Sequence, residues 1–501
     1  MQKELSKKNE IKNKNHCRIF TMENLLCLLI IICPILDVSS FIFRNFFNTN
    51  FSISTFVRPI IPIIAITYIF FKDKIKPQII IAGIAYLGYA ICHVYIFYKI
   101  KTGCAYGNEL REIQYLVNYT FMVMNLFIYI YFFVVKNREK EITKQTVGKS
   151  LKKVKKAVLI ALTIYIVLMY LALITKTSSF TYGETQVGYK GWFESGNSIG
   201  TIMLLSLFIV LPMLNKENRL SIRIWVLMIT VLVGAYLCTL LGTRTGLFGF
   251  IIVVMAYIAF TVLHNLLNKN KLNKKILTIA VTIFGSKTIE RRRELKNKEN
   301  EIYDTMTNQT AHVTGDTVEL VKKIKAGQMD ENYMSKSMQQ AYLDLYNTAN
   351  EKQISNTNMR TLQLIYHSNL IKEQNSIPML LFGNGYMSHY YEMIFEMEVP
   401  AFLFNFGVIG FFLYFIPFLI IAVYGIYVIL KKFKVSKVEF SMALSGLWFA
   451  IIISLLSGYT FFNSSTMIII ITLSVIVINQ IKDIDDNEVK IYNPEKGNDT
   501  L

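Results

Sequence analysis

Leu381-Phe-Gly-Asn-Gly-Tyr386, then Glu396-Met-Glu398, then Phe404-Asn-Phe-Gly-Val-Ile-Gly410 close a polar excursion that begins near residue 286. On either side of it the chain is a series of apolar runs of about 17 to 25 residues, the length of membrane-spanning helices. Short basic connections join those runs. Only between residues 286 and 400 does the chain leave the apolar layer long enough to build something of its own. The stretch therefore decides the fold class: an all-α polytopic membrane protein with one large extracytoplasmic helical loop. Chemistry in such a protein is expected where that loop meets the membrane face beneath it.

Composition leads to the same class. The 501 residues are 53% hydrophobic and only 17% charged, with a mean hydropathy of +0.39, whereas soluble domains carry roughly 25% charged residues. The short alternating segments of a β-barrel are missing. A formal charge of +19 could suggest nucleic acid, but its distribution argues otherwise. Residues 286–399 hold 13 Lys/Arg and 15 Asp/Glu, a net of −2. The surplus lies in the connections, where Lys and Arg report orientation. No nucleic-acid partner is expected; the lipid bilayer is. The six cysteines include no CxxC pair, so neither a zinc site nor a stapled ectodomain is indicated.

In chain order, residues 1–18 form a basic cytoplasmic arm. Residues 19–285 carry helices 1 to 9, residues 286–400 the loop, residues 401–480 helices 10 to 12, and residues 481–501 a cytoplasmic tail. The strongest inside marker is 136–156, with nine Lys/Arg against two Glu. Alternation from there gives about twelve spans in the cell membrane, both termini cytoplasmic. Helix 9 (276–285) is about ten apolar residues, short of the ~20 that span; it borrows from its flanks, thins the bilayer or lies at the interface. Helix 10 (401–430) is expected as one long tilted helix. Inside the loop, 289–305, 318–326 and 338–350 read as short helices that cap the membrane domain.

Few residues suit chemistry. Arg244 stands at a helix end in Gly242-Thr-Arg-Thr-Gly246. Its planar fork of donors suits phosphate, and the competing reading is snorkelling to headgroups. Arg360, in Asn358-Met-Arg360, is either a phosphate ligand or a solvated charge. Gly383 and Gly385 permit backbone conformations closed to other residues, and His389 follows as a base suited to neutral pH. Glu396 and Glu398 precede a return to the membrane, where a carboxylate serves as general base or as helix-start charge. P-loop, HExxH and metal-ligand clusters do not occur in the sequence, so neither metal nor cofactor is expected.

These pieces together resemble the O-antigen ligase / O-antigen polymerase superfamily. The matching segments are Gly191-Trp-Phe-Glu-Ser-Gly-Asn-Ser-Ile-Gly200, Leu240-Leu-Gly-Thr-Arg-Thr-Gly246, Asn358-Met-Arg360 ahead of Leu380-Leu-Phe-Gly-Asn-Gly-Tyr386, and Phe404-Asn-Phe-Gly-Val-Ile-Gly-Phe-Phe412, in that order. Trp192, Asn197, Gly407 and Gly410 are the motif positions besides Gly383 and Gly385. The resemblance implies a GT-C-like glycosyltransferase acting on glycan carried by undecaprenyl diphosphate, with a glycan acceptor and with export or chain-length partners. It implies that Arg244 and Arg360 hold the donor diphosphate. Ligases of the family carry a loop histidine before the Gly-x-x-Gly return. Here that position is Glu396, and His389 stands seven residues earlier. The base is thus Glu396, Glu398 or a shifted His389, and a polymerase is favoured over a ligase. The alternative is a lipid-linked oligosaccharide flippase; two similar halves and charges along a central path, which such transporters show, are missing from this sequence.

Overall fold

The computed structural model describes residues 21–47, 53–72, 77–101, 109–136, 147–182, 187–213, 240–267, 316–331, 334–354, 358–385, 395–433, 436–456 and 460–492, with residues 226, 229–230, 233–234, 393 and 458. Its long helices are α1 (Met22–Phe46), α2 (Ile53–Lys72), α3 (Pro77–Lys101), α4 (Glu109–Ile130) and α5 (Val147–Ile174). A hairpin, β1 (Ser179–Tyr182) and β2 (Val187–Gly191), precedes α6 (Gly196–Val210) and α7 (Arg244–Leu267). The loop contributes α8 (Asp316–Lys325), α9 (Lys336–Glu351), α10 (Met359–Gln374) and α11 (Ile377–Phe382). The chain ends with α12 (Glu398–Tyr414), α13 (Ile416–Lys432), α14 (Val438–Leu456) and α15 (Ser464–Tyr492).

Among the described residues, seven helices are long and apolar enough to cross a membrane, or eight if the bent pair α12–α13 is one span. Most of the stretch expected as helix 7 and all of helix 9 lie outside the described residues. Two expectations need correction. The all-α expectation does not hold in the outer connection after α5, where β1 and β2 pair antiparallel. Helix 10 is not one continuous helix. Gly407 breaks it with φ 71° and ψ −179°, and a further bend of 48° separates α12 from α13, where Pro417 occupies the first turn of α13 and cannot donate to the preceding turn.

The bundle is arranged around α15, whose span is 89% buried, against 17% for α3 at the periphery. With no water in the apolar layer, backbone and hydroxyl groups must be satisfied internally. Buried Ser206, Thr472 and Ser474 donate to carbonyls four residues back in their own helices. At one end of the bundle Lys155 pairs with Glu439, both buried, joining the lysine-rich start of α5 to the start of α14. The hairpin and the loop stand at the other end, where Arg44 at the end of α1 meets Glu194 at 3.4 Å. Helices α8, α9 and α10 enclose a second small core built on Tyr342, Leu345 and Tyr366, so these three helices pack on one another.

Candidate active site

The motif segments form two groups. In the first, Gly188 takes φ 71°, and a Cβ there would strike the Leu241 carbonyl. Tyr189 N–H donates to the Leu240 carbonyl, tying β2 to the Gly242–Gly246 turn. Thr243 Oγ1 accepts from Gly246 N–H at 3.1 Å and caps α7. Arg244 is thereby the first residue of that helix; its side chain lies outside the description. Trp192 Nε1 donates to Thr177 Oγ1 at 2.8 Å, and the Asn197 carbonyl accepts from Thr201 Oγ1 at 2.8 Å. Both anchor the hairpin and the start of α6. Lys190 Nζ bonds the Glu194 carbonyl at 2.8 Å, and burial lowers its pKa, with Glu194 acting in the opposite direction.

In the second group two backbones touch directly. Gly383 has φ 87°, and its absent Cβ would collide with Asn405 carbonyl atoms and Gly407 N. Gly407 in turn faces Gly383 N and Leu381. Asn384 N–H donates to the Phe404 carbonyl (3.0 Å) and Gly385 N–H to Asn405 (2.9 Å). Gly410 gives the same closeness to Tyr89, whose hydroxyl donates to the Phe406 carbonyl at 2.8 Å beside the break in α12. The spacing Gly407-x-x-Gly410 therefore admits α11 with one glycine and α3 with the other.

Arg360 and Glu396 are brought together. Arg360 Nε donates to Glu396 Oε2 at 3.1 Å, with 48% and 53% of the side chains exposed. Gln363, one turn along α10 and buried, accepts from Glu396 N–H at 3.1 Å. His367, one turn further and fully buried, bonds the Met393 carbonyl at 2.8 Å and stacks on Phe395 at 4.0 Å. One face of α10 thus holds the Glu396 segment while Arg360 reaches its carboxylate. An exposed ion pair contributes only ~0.2–1 kcal/mol, so stability gives little reason for this one.

Glu398 is different. It is 1% exposed, and its carboxylate accepts N–H bonds from Thr460 (2.6 Å), Phe461 (2.6 Å) and Phe462 (2.9 Å). Its oxygens hold the turn before α15, which points to a structural role. His389 lies outside the described residues. Sequence reasoning missed Gln363, His367 and a buried pair beneath the glycine crossing: His93 Nε2 lies 2.9 Å from Glu112 Oε1, and His93 Nδ1 lies 2.7 Å from the Phe382 carbonyl. A histidine inside an apolar run was the available signal.

A sequence model of a family described as O-antigen ligase like membrane protein matches residues 20–483. Neither the curated proteins nor the solved structures contain a match.

Proposed function

The chain belongs to the O-antigen ligase-like membrane proteins, glycosyl-transferring enzymes of polysaccharide assembly, and from that premise we propose that it polymerises oligosaccharide repeat units carried on undecaprenyl diphosphate. The site faces outward, both termini face the cytoplasm, and the product is a surface polysaccharide. The observation that carries the reading is the pairing of Arg360 with Glu396 at the solvent-open end of the bundle. It sets a diphosphate ligand beside a proton acceptor.

The step runs as follows. The donor diphosphate takes the Arg360 fork, with Arg244 as second cation, and Glu396 loses its partner. The acceptor hydroxyl oxygen attacks the anomeric carbon of the donor glycan. The bond from that carbon to the diphosphate oxygen breaks, and the diphosphate leaves with the electron pair. The hydroxyl proton passes to Glu396, and the anomeric configuration inverts. Charge developing on the leaving group meets fixed guanidinium, so the step needs neither metal nor cofactor. Glu396 is the base because the Glu398 oxygens already hold three amides. A carboxylate where ligases of the family carry histidine favours polymerisation over ligation.

The test is the surface polysaccharide and the lipid-linked pool of cells lacking the protein. Loss of polymer with single repeat units accumulating on lipid at the outer face supports the reading. Units trapped at the inner face would identify a flippase and remove the roles given to Arg360 and Glu396.

A further inference from the structure

Between α1, α2, α4 and α15 lies a cavity of ≈190 Å³, away from the Arg360–Glu396 pair and unused in the step above. Its polar lining is Ser54 and Arg58 on α2, Gln114, Asn118 and Asn125 on α4, and Ser464 at the start of α15. Positions 114, 118 and 125 fall on one helical face. Phe121 and Met467 add apolar wall. A single water needs only ~10–15 Å³ of such space, so the cavity has room for more.

Charge argues against an anion here. The Arg58 guanidinium is paired with Asp37, and the same carboxylate accepts from Tyr165 and Ser465 hydroxyls. The floor of the cavity is therefore a neutral pair. Hydrogen-bonding capacity is left over nonetheless. Arg58 Nε and Asn125 Oδ1 are buried with no hydrogen-bond partner among the described residues. Buried polar atoms are nearly always satisfied in native structures, so these two call for a ligand or ordered water. Amides present a donor and an acceptor side by side, as a hydroxyl does. An uncharged ring with several hydroxyls and an apolar face matches amides, an unpaired guanidinium N–H and an aromatic wall.

We infer that this cavity is a sugar subsite, binding an uncharged ring of the glycan chain that the enzyme extends. The inference rests on the glycosyl-transfer reading above. Its position suits the role. Ser464 follows the Thr460–Phe462 turn that Glu398 holds, and Glu396 lies two residues from Glu398. A chain bound there would lie over α4 and extend toward the turn that Glu398 holds.

The test uses the full-length protein in detergent carrying Asn118→Cys, at the exposed mouth of the cavity. Labelling of the introduced thiol by a maleimide is timed with and without oligosaccharides cleaved from the surface polymer of the native host. We expect labelling to slow several-fold and saturably, and the protection to vanish when Asn125→Leu is added. Unchanged labelling by Asn118→Cys protein would mean a water-filled cavity and overturn the subsite; this arm stands even if Asn125→Leu fails to fold. Arg360→Ala in the same background keeps the two readings apart. Protection with Arg360→Ala, together with unaltered polymer in Arg360→Ala cells, would sink the catalytic reading and leave sugar binding. Protection lost with polymer chemistry intact in wild type would sink the subsite alone.

Discussion

Arg360 and Glu396, thirty-six positions apart, meet at 3.1 Å with about half of each side chain open to solvent. The pair is too exposed to matter much for stability, since such pairs contribute ~0.2–1 kcal/mol. Its removal should therefore separate activity from folding. Arg360→Ala and Glu396→Gln are each expected to leave the amount and melting temperature of the purified protein within the range of the parent. Polymer formed per molecule should fall on the order of 10²-fold or more, the scale of a lost general base or a lost charge contact. Arg360→Lys should retain part of the activity, because a point charge lacks the bidentate fork. Polymer at the parental level in either substitution, at equal protein, would remove the pair from the step.

The glycine crossing gives a prediction about folding. Gly383→Ala or Gly407→Ala places a Cβ into backbone atoms of the facing segment, at a positive φ. No flexible side-chain tip is available to move aside. Each substitution should sharply reduce the folded protein recovered from membranes. Gly83 and Gly88 in α3 are the controls, since a Cβ at either meets nothing within 4 Å. Alanine there should be neutral or stabilising by roughly 0.5–1 kcal/mol, because helix-interior glycine costs conformational entropy. Equal recovery of Gly407→Ala and Gly88→Ala protein would contradict the crossing. Size-exclusion profiles of the detergent-solubilised variants give the answer.

Glu398 supports a third prediction. Glu398→Ala would strand three N–H groups that bond a carboxylate in a buried turn. An unsatisfied buried donor costs about 1–3 kcal/mol, so the substitution should lower the melting temperature strongly. Glu398→Gln keeps one acceptor oxygen and should lie between. The readout is thermal unfolding of the purified protein. A Glu398→Gln protein with parental stability but no polymer would move the proton acceptor from Glu396 to Glu398.

How far these sites could be read in the sequence depends on what kind of signal carries each. Apolar length and basic connections locate helices because the bilayer imposes both, and α1, α3, α4, α5, α7, α14 and α15 meet that measure. The break at Gly407 was harder to foresee: an apolar run around a glycine reads as a continuous helix, and only the facing Gly383 explains why the helix must open. Glu396 and Glu398 look equivalent in sequence, two residues apart beside Pro400. Their difference comes from burial and from three amides supplied some sixty positions later. Likewise Arg58, a single charge in the apolar run of α2, belongs to a network with Asp37, Tyr165 and Ser465 that no local pattern announces.

His93 and Glu112 carry the last prediction, because their geometry fixes a proton. Both are fully buried. His93 Nδ1 faces the Phe382 carbonyl, which can only accept, so that nitrogen must carry a hydrogen. Nε2 then meets Glu112 Oε1 at 2.9 Å. The pair holds the last carbonyl of α11 just before Gly383, and so the register of the glycine crossing. Removing one partner of a buried ionisable pair costs about 3–5 kcal/mol. His93→Leu should accordingly destabilise the protein by that order, and by more than Glu112→Gln. The glutamine amide can donate to Nε2 of a neutral histidine and keep the contact. The discriminating measurement is a double-mutant cycle on thermal stability with His93→Leu, Glu112→Leu and both together. Non-additivity of about 1 kcal/mol or more is expected for groups in contact. Additive losses would mean that the two residues act separately and that the crossing is held by its glycines alone.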